Sequence, residues 1–204
     1  MEYAKNGDDV LILPISSGIS GTYNTLKMLF SSYDNVLVLD TKSAVGGIRL
    51  LVEEVNKYRD NSLDFIEKKL LALIPRIKVA AIPETLEYLY RGGRLSKTSK
   101  IIGNLAQIKP IISLDSIRGN VKVLGKAIGK RRAMQTLVNY LKEFGCDKNY
   151  SIVPSYTYNK ENLEELIAMT DDEYKSQMTG FDNLDPAIAC HWGPNAFGYI
   201  FIGD

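Results

Sequence analysis

The chain has 204 residues, of which 45% are hydrophobic and 24% charged, an ordinary composition for a globular protein. Its formal net charge of +1 argues against a general nucleic-acid binder, which usually carries a basic face. No apolar run approaches the ~20 residues of a membrane helix, and the N-terminus lacks an apolar signal region. Two cysteines and one histidine predict neither a disulfide framework nor a metal site. We therefore expect a cytoplasmic protein with reduced thiols, no cofactor and no stable membrane insertion.

The first part of the chain alternates strand and helix patterns. Short apolar runs predict strands at Val10–Ile15, Val36–Asp40 and Lys78–Ile82. Apolar residues at helical spacing predict helices at Ile19–Phe30, Ser43–Tyr58 and Ser62–Ile74, with Ser62 as an N-cap. This alternation is typical of an α/β layer with a parallel sheet.

The second part carries hairpin signals instead. Helices are predicted at Thr85–Tyr90, Thr98–Leu105, Lys130–Phe144 and Glu161–Met169. Strands are predicted at Ile108–Leu114 and Val121–Lys126, joined as a hairpin, and at Tyr150–Tyr156, Gln177–Phe181, Ala187–His191 and Phe197–Ile202. We therefore predict two domains, a parallel-sheet α/β domain over residues 1–84 and a second α/β domain with a mixed or antiparallel sheet over 85–204.

A turn rich in hydroxyls and glycines follows the first predicted strand. It holds Ser16, Ser17, Gly18, Ser20 and Thr22, and a helix begins after it. The start of a helix offers unpaired N–H groups and a partial positive charge, and glycines let the backbone approach a ligand closely. Simple helix capping by serine is the alternative explanation. The number of hydroxyls exceeds what a cap requires, so we predict an anion site.

The same turn could instead carry a serine nucleophile. It matches neither the Gly-x-Ser-x-Gly nucleophile elbow nor a phosphate-binding Walker loop. His191 is the only histidine available as a base, and nothing near it in sequence indicates an orienting acid. These observations argue against a Ser/His hydrolase of lipid esters, which we keep as an alternative.

Three further segments carry signals of function. His191 opens a turn at Gly193–Pro194, where an imidazole can donate to a carboxylate, although a structural histidine is the commoner case. Leu86–Ser96 reads as a helix end with glycine caps and cations. Lys122–Ala133 reads as a solvated strand and helix start, or as a basic surface for a phosphate-bearing partner. Such a surface could also dock a protein without any lipid.

These four segments, taken in their order along the chain, resemble the DegV family of bacterial fatty-acid-binding proteins. Lys109-Pro110-Ile111, which lies between two of them, also resembles the family. The resemblance spans essentially the whole chain. It implies a two-domain α/β fold that holds a long-chain fatty acid between the domains and catalyses nothing itself. Ser16 or Ser17 and the following amides would contact the carboxylate, with His191 beside it. Some members present the carboxylate to a fatty acid kinase. The candidate surface for that partner is formed by Arg94, Lys126, Lys130, Arg131 and Arg132.

The sequence departs from the family pattern in three places. The family normally begins with a further stretch of roughly 70 to 80 residues that supplies strands and carboxylate contacts, so the first domain reads as truncated, with an exposed apolar sheet edge and weaker binding. Ile128 stands where the family often has arginine in its basic turn. Asn195 replaces the second glycine that is common after Gly-Pro. The fold assignment survives all three departures.

Overall fold

The computed structural model describes residues 2–95 and 107–204. The predicted helix Thr98–Leu105 lies outside the described residues, as does Ser96. The chain divides into two compact units. Unit 1 comprises Met1–Ile77 with Asp115–Asn120, and unit 2 comprises Lys78–Leu114 with Val121–Asp204.

Unit 1 contains a parallel pair of strands and several helices. In chain order its elements are α1 (Glu2–Lys5), β1 (Val10–Ile12), α2 (Thr22–Leu29), β2 (Val36–Val38), α3 (Gly46–Lys57), α4 (Leu63–Leu73) and a 3-10 turn (Ile74–Arg76). Strands β1 and β2 pair in parallel, with Val10 opposite Val36 and Ile12 opposite Val38. The parallel arrangement predicted for the first part of the chain is therefore confirmed for these strands.

The helices α3 and α4 contribute large buried side chains to unit 1. Leu50 and Leu51 of α3 are fully buried, and so is Leu70 of α4. Helix α4 begins where the serine signal predicts, because Ser62 accepts a hydrogen bond from the Phe65 N–H at 3.4 Å. By contrast, α2 has no buried residue.

Unit 2 is built on a mixed sheet of six strands. Its elements are β3 (Ile77–Ile82), α5 (Glu87–Arg91), β4 (Ile108–Leu114), β5 (Val121–Ile128), α6 (Lys130–Phe144), β6 (Val153–Tyr156), α7 (Glu161–Met169), α8 (Asp172–Lys175), β7 (Asp182–Asn183), α9 (Pro186–Trp192) and β8 (Phe197–Ile202). The strand order is β5-β4-β3-β8-β6-β7. The β4–β5 pair is the predicted antiparallel hairpin, and its connecting loop, Asp115–Asn120, groups with unit 1.

The core of unit 2 lies between α6 and the sheet. Met134, Leu137 and Leu141 of α6 are fully buried, and they pack in one cluster with Tyr199 and Phe201 of β8. The apolar residues of α6 recur at three- and four-residue steps, so they share one helix face. Burial of this face explains why the bounds of α6 match the helix predicted from sequence.

The prediction that the first three strands form one parallel sheet needs correction. Strand β3 is not in the sheet of β1 and β2. It lies third of six in the larger sheet, with Ala81 opposite Ile112 of the antiparallel β4. Five of its six residues are buried, as expected for a central strand. The compact units change after Ile77, within β3.

The predicted strand at Ala187–His191 is wrong, because this segment is the helix α9. Asp185 caps the helix by accepting from the Ala187 N–H at 2.9 Å, Pro186 occupies the first turn, and Gly193 follows the end. These are helix start and stop signals that outweigh the short apolar run. The predicted strand at Gln177–Phe181 is reduced to one bridge between Met178 and Ile152, and β7 begins just after it.

Candidate functional site

The hydroxyl-rich turn lies at the carboxyl end of β1, next to the segment that leaves β2. The Ser16 N–H donates to the Ser43 carbonyl at 2.8 Å, and the Ser17 N–H donates to Asp40 Oδ1 at 3.1 Å. Thr41, which is fully buried, donates its hydroxyl to the Pro14 carbonyl at 2.7 Å. Because parallel strands bring their carboxyl ends to one edge, two loops far apart in sequence form a single structure.

Ser16 is a structural member of the turn. It is fully buried, and its hydroxyl donates to the Gly119 carbonyl at 2.9 Å while accepting from the Gly18 N–H at 3.1 Å. A serine hydroxyl has a single proton to donate. That proton holds the loop Asp115–Asn120 against the turn.

Glycines at two points allow this loop and the turn to approach closely. A Cβ atom at Gly18 would lie 2.5 Å from the Arg118 carbonyl oxygen and 2.6 Å from the Asn120 nitrogen, both backbone atoms that cannot move aside. Gly119 has a φ of +70°, and its Cα packs beside Ser16 and Lys42. Any larger residue at Gly18 would separate the two segments.

Ser17 lies in a small polar cluster with Asp40 and Lys42. Lys42 Nζ is 2.7 Å from Asp40 Oδ2 and donates to Ser17 Oγ at 3.2 Å. The Lys42 N–H donates to Asp40 Oδ1 at 3.2 Å. Burial acts to raise the pKa of Asp40, but hydrogen bonds from Lys42 and from the side chain and N–H of Ser17 oppose it, and the net pKa lies below the ordinary value. Asp40 is therefore ionised at neutral pH.

Ser20 and Thr22 form the outer end of the turn. Their hydroxyl oxygens are 2.8 Å apart, and the Thr22 N–H donates to Ser20 Oγ at 3.3 Å. The N-cap residue of α2 is Gly21, which offers no side chain to the helix start. Thr22 and Gly21 are exposed. The helix start therefore keeps polar donors at the surface, which is the arrangement that an anion requires.

His191 belongs to unit 2, in the last turn of α9. Its imidazole lies directly against the Cα of Gly92, and Gly193 lies against the ring of Tyr88, so that α9 packs on the end of α5. Burial lowers the pKa of His191, and the positive charge of Arg94 lowers it further. The imidazole is therefore neutral at pH 7.

The turn after His191 is fixed by Thr157, which is fully buried. Its hydroxyl donates to the Gly193 carbonyl at 2.6 Å and accepts from the Ala196 N–H at 2.9 Å. Asn195 has a φ of +59°, in the left-handed region that glycine and asparagine tolerate best. Asparagine is therefore a residue type that suits the backbone at this position.

The predicted basic residues are all in unit 2. Lys126 is exposed on β5, and Arg131 and Arg132 are exposed in the first turn of α6. Lys130 pairs with Glu165 at 2.5 Å. Arg94 is half-buried beyond the end of α5 and donates to the Gly92 carbonyl at 2.6 Å. Ile128, at the departure from the family pattern, is 60% exposed.

Sequence reasoning missed Asp40, Lys42 and Gly119. The sequence pattern places Asp40 at the end of a strand. It places Gly119 in a hairpin turn 103 residues after Ser16. A signal existed for Asp40, because a polar residue ending the second strand of a parallel pair lies beside the end of the first strand. No sequence signal places Gly119 next to Ser16.

The described part of the chain carries two further negative findings. None of its helices combines the length and the apolar character of a membrane span. Within residues 2–95 and 107–204, no group of three or more His, Cys, Asp or Glu side chains is arranged to hold a metal ion.

Taken together, the two units define a mixed α/β protein whose first unit presents polar donors at a strand-to-helix turn. The chain belongs to the DegV family, whose model, described as an uncharacterised protein family, matches residues 1–204. A DegV domain-containing protein of Staphylococcus aureus is 33% identical over 207 residues, which cover 98% of this chain and 73% of that protein. The resemblance drawn from the sequence is confirmed.

Solved structures share the fold. A fatty-acid-binding DegV family protein of Streptococcus agalactiae superposes with a TM-score of 0.85 at 27% identity, over 100% of this chain and 73% of that chain. A DegV family protein of Eubacterium eligens, loaded with heptadecanoic acid, gives a TM-score of 0.82 at 17% identity, over 99% and 76% of the two chains. The α/β fold class is therefore confirmed.

Proposed function

We propose that this protein binds a long-chain fatty acid and holds its carboxylate at the turn from Ser16 to Thr22. The observation that carries the proposal is the set of donors at the carboxyl end of β1, in a family whose solved members include fatty-acid-binding proteins. His191 is proposed as a further contact, on the strength of the family resemblance and of its position at a helix end.

The energetics of a fatty acid require such donors. About 14 buried methylenes gain on the order of 11 kcal/mol gross, at about 0.8 kcal/mol each, and part of this is lost to ordering of the tail. An ionised carboxylate left without hydrogen bonds in an apolar site would cost more than the tail gains. Hydroxyls and helix-start amides satisfy the carboxylate without a reactive nucleophile.

The hydrogen bonds divide the work among the predicted serines. Ser16 donates its only hydroxyl proton to Gly119, so we assign it to positioning the turn. Ser17 Oγ accepts from Lys42 and its side chain also hydrogen-bonds Asp40, but Ser17 is half-buried, so we propose that its hydroxyl reorients toward a ligand. Gly18 donates its N–H to Ser16 Oγ and so also positions the turn, and Ser20 and Thr22 complete the proposed contacts.

Binding is favoured over ester hydrolysis by the surroundings of His191. A catalytic histidine base is oriented by an acid, whereas the pKa of His191 is lowered by burial and then by the positive charge of Arg94. We therefore expect no hydrolysis of chromogenic acyl esters above the background rate. Turnover that is abolished by Ser17→Ala would favour the hydrolase instead.

We further propose that the protein presents its bound fatty acid to a fatty acid kinase, and that the basic residues of unit 2 form the surface that binds this partner. Lys130, Arg131 and Arg132 occupy the first turn of α6, where the helix dipole disfavours cations by about 0.3–1 kcal/mol each. No ion pair within the described residues offsets Arg131 or Arg132. A costly placement of cations is understandable if an acidic partner covers them.

Two experiments test these proposals. Mass spectrometry of an organic extract of the denatured, purified protein should reveal a stoichiometric long-chain fatty acid. A protein that neither copurifies with nor takes up fatty acid would instead be a lipid-independent interaction module.

The proposed kinase surface is tested by charge reversal. Phosphorylation of bound palmitate by a bacterial fatty acid kinase should fall in the double variant Arg131→Glu/Arg132→Glu. Phosphorylation equal to that of the wild type would exclude this surface. Lys68→Glu, on the exposed face of α4, serves as the charge control.

A further inference from the structure

The cluster of Ser17, Asp40 and Lys42 poses an electrostatic problem for an anionic ligand. The Asp40 carboxylate accepts from the Ser17 N–H at 3.1 Å, so a ligand bound at Ser17 lies beside a resident negative charge. The side chain of Asp40 is only 12% exposed, so water screens this charge poorly. Two carboxylates sharing a site repel each other unless a cation lies between them or one is protonated.

Lys42 is the cation of this cluster. Its Nζ lies 2.7 Å from Asp40 Oδ2 and 3.2 Å from Ser17 Oγ. Lys42 therefore contacts both the negatively charged Asp40 and the serine that is proposed to bind the ligand. An ammonium group has three donors, and these two acceptors use two of them. One donor therefore remains for a ligand oxygen next to Ser17.

The backbone holds Lys42 in this position. Its φ of +48° is uncommon for lysine, and it brings the Lys42 N–H onto Asp40 Oδ1 while the side chain reaches Oδ2 of the same carboxylate. A Cβ atom at Gly119 would lie 3.1 Å from both Cα and Cδ of Lys42, so the loop packs closely along the lysine stem. The strained conformation persists because the surroundings determine it.

We infer that Lys42 is the residue that makes this turn selective for an ionised carboxylate, by neutralising Asp40 and donating to the ligand. The inference rests on the proposed fatty-acid function and names a specificity-determining residue for it. Without Lys42, Asp40 would reject an anionic head group, whereas an uncharged head group on the same tail would be affected little.

The test compares palmitate with hexadecanol, which has the same tail length and no charge, by equilibrium dialysis at pH 8. The wild type should bind palmitate more tightly. Lys42→Met should weaken palmitate by roughly 10- to 100-fold, as expected for a charged hydrogen bond, and hexadecanol by less than about threefold. Lys42→Arg should keep the preference, and Lys68→Met on the exposed face of α4 is the matched charge control.

Asp40→Asn in the Lys42→Met background tests whether repulsion by Asp40 causes the loss of palmitate affinity. Both backbone donors bond Oδ1, which asparagine retains, and the new amide would face the methionine. Removing the repelling charge should therefore restore at least part of the palmitate affinity. Equal loss of both ligands in Lys42→Met, or no recovery in the double variant, would show a merely structural lysine.

Folding of each variant is checked by circular dichroism. If Lys42→Met does not fold, Lys42→Gln gives the same comparison, because its amide keeps a donor for Asp40 and Ser17 without the charge. A wild type that binds neither ligand would refute the proposed function itself. A loss of selectivity in the Lys42 variants is therefore interpreted only if the wild type binds palmitate.

Discussion

The buried hydroxyl of Ser16 donates to the carbonyl of Gly119, 103 residues later in the chain, at 2.9 Å. This bond ties the turn after β1 to the loop between β4 and β5. Gly18 completes the junction, since its N–H returns to Ser16 Oγ and its Cα lies against the loop backbone. Ser16, predicted as a ligand contact, therefore holds the turn and the loop Asp115–Asn120 together.

Ser16→Ala should therefore lower the free energy of unfolding. It leaves the buried Gly119 carbonyl without its partner, which costs about 1–3 kcal/mol, and it also removes the acceptor of the Gly18 N–H. Urea denaturation followed by circular dichroism measures the change. Ser31→Ala is the matched control, because its exposed hydroxyl bonds the Met28 carbonyl and its loss should cost little. Equal stability of the two variants would contradict the assignment.

Ser17→Ala should have the opposite profile, with stability nearly unchanged and binding weakened. We expect a loss of roughly 1.5–3 kcal/mol in fatty-acid binding, the usual contribution of a hydrogen bond to a charged group. Isothermal titration calorimetry with palmitate measures it, with Ser31→Ala again as control. Unchanged affinity in a folded Ser17→Ala protein would move the carboxylate away from this turn.

Substitutions of His191 should distinguish a donor from a spacer. His191→Gln should retain more fatty-acid affinity than His191→Ala, because the amide can still donate a hydrogen bond. Burial and then the charge of Arg94 lower the pKa of His191, so the imidazole is neutral at pH 7. A hydrogen bond from a neutral donor contributes about 0.5–1.5 kcal/mol to binding. Wild-type affinity in both variants would place His191 outside the site.

Asn195 offers a test of backbone conformation. Asn195→Ala should destabilise the protein by about 1–2 kcal/mol, since its φ of +59° is unfavourable for a residue with an ordinary Cβ. Asn195→Gly relieves that cost and should stay near the wild type in stability. Thermal unfolding of the two variants measures the difference, and a more stable alanine variant would argue against the left-handed conformation.

The two cysteines should react very differently with thiol reagents. Burial, followed by the negative charge of Asp204, raises the pKa of the Cys146 thiol to about 12, so it stays protonated at pH 8, whereas Cys190 is exposed. Iodoacetamide at pH 8 should label one site in the folded protein and both in urea. Peptide mass mapping identifies the site, and rapid labelling of Cys146 in the native state would contradict its burial.

Sequence patterns alone determined the strongly periodic elements and the family. Helices α6 and α7 have the predicted bounds because a continuous apolar face and clear ends define them, and the resemblance in spaced motifs led to the correct fold class. The Ser16–Thr22 turn was also visible, since a strand, hydroxyls and a helix follow one another locally.

Tertiary structure alone decided which sheet β3 joins, that Ala187–His191 is helical, and what each serine contacts. Local apolar runs fit a buried strand in either sheet and cannot name its partner. The roles proposed for Ser16 and Lys42 depend on Gly119 and Asp40, which lie on other segments of the chain. A hydroxyl has one proton, and only the packed structure shows which acceptor it reaches.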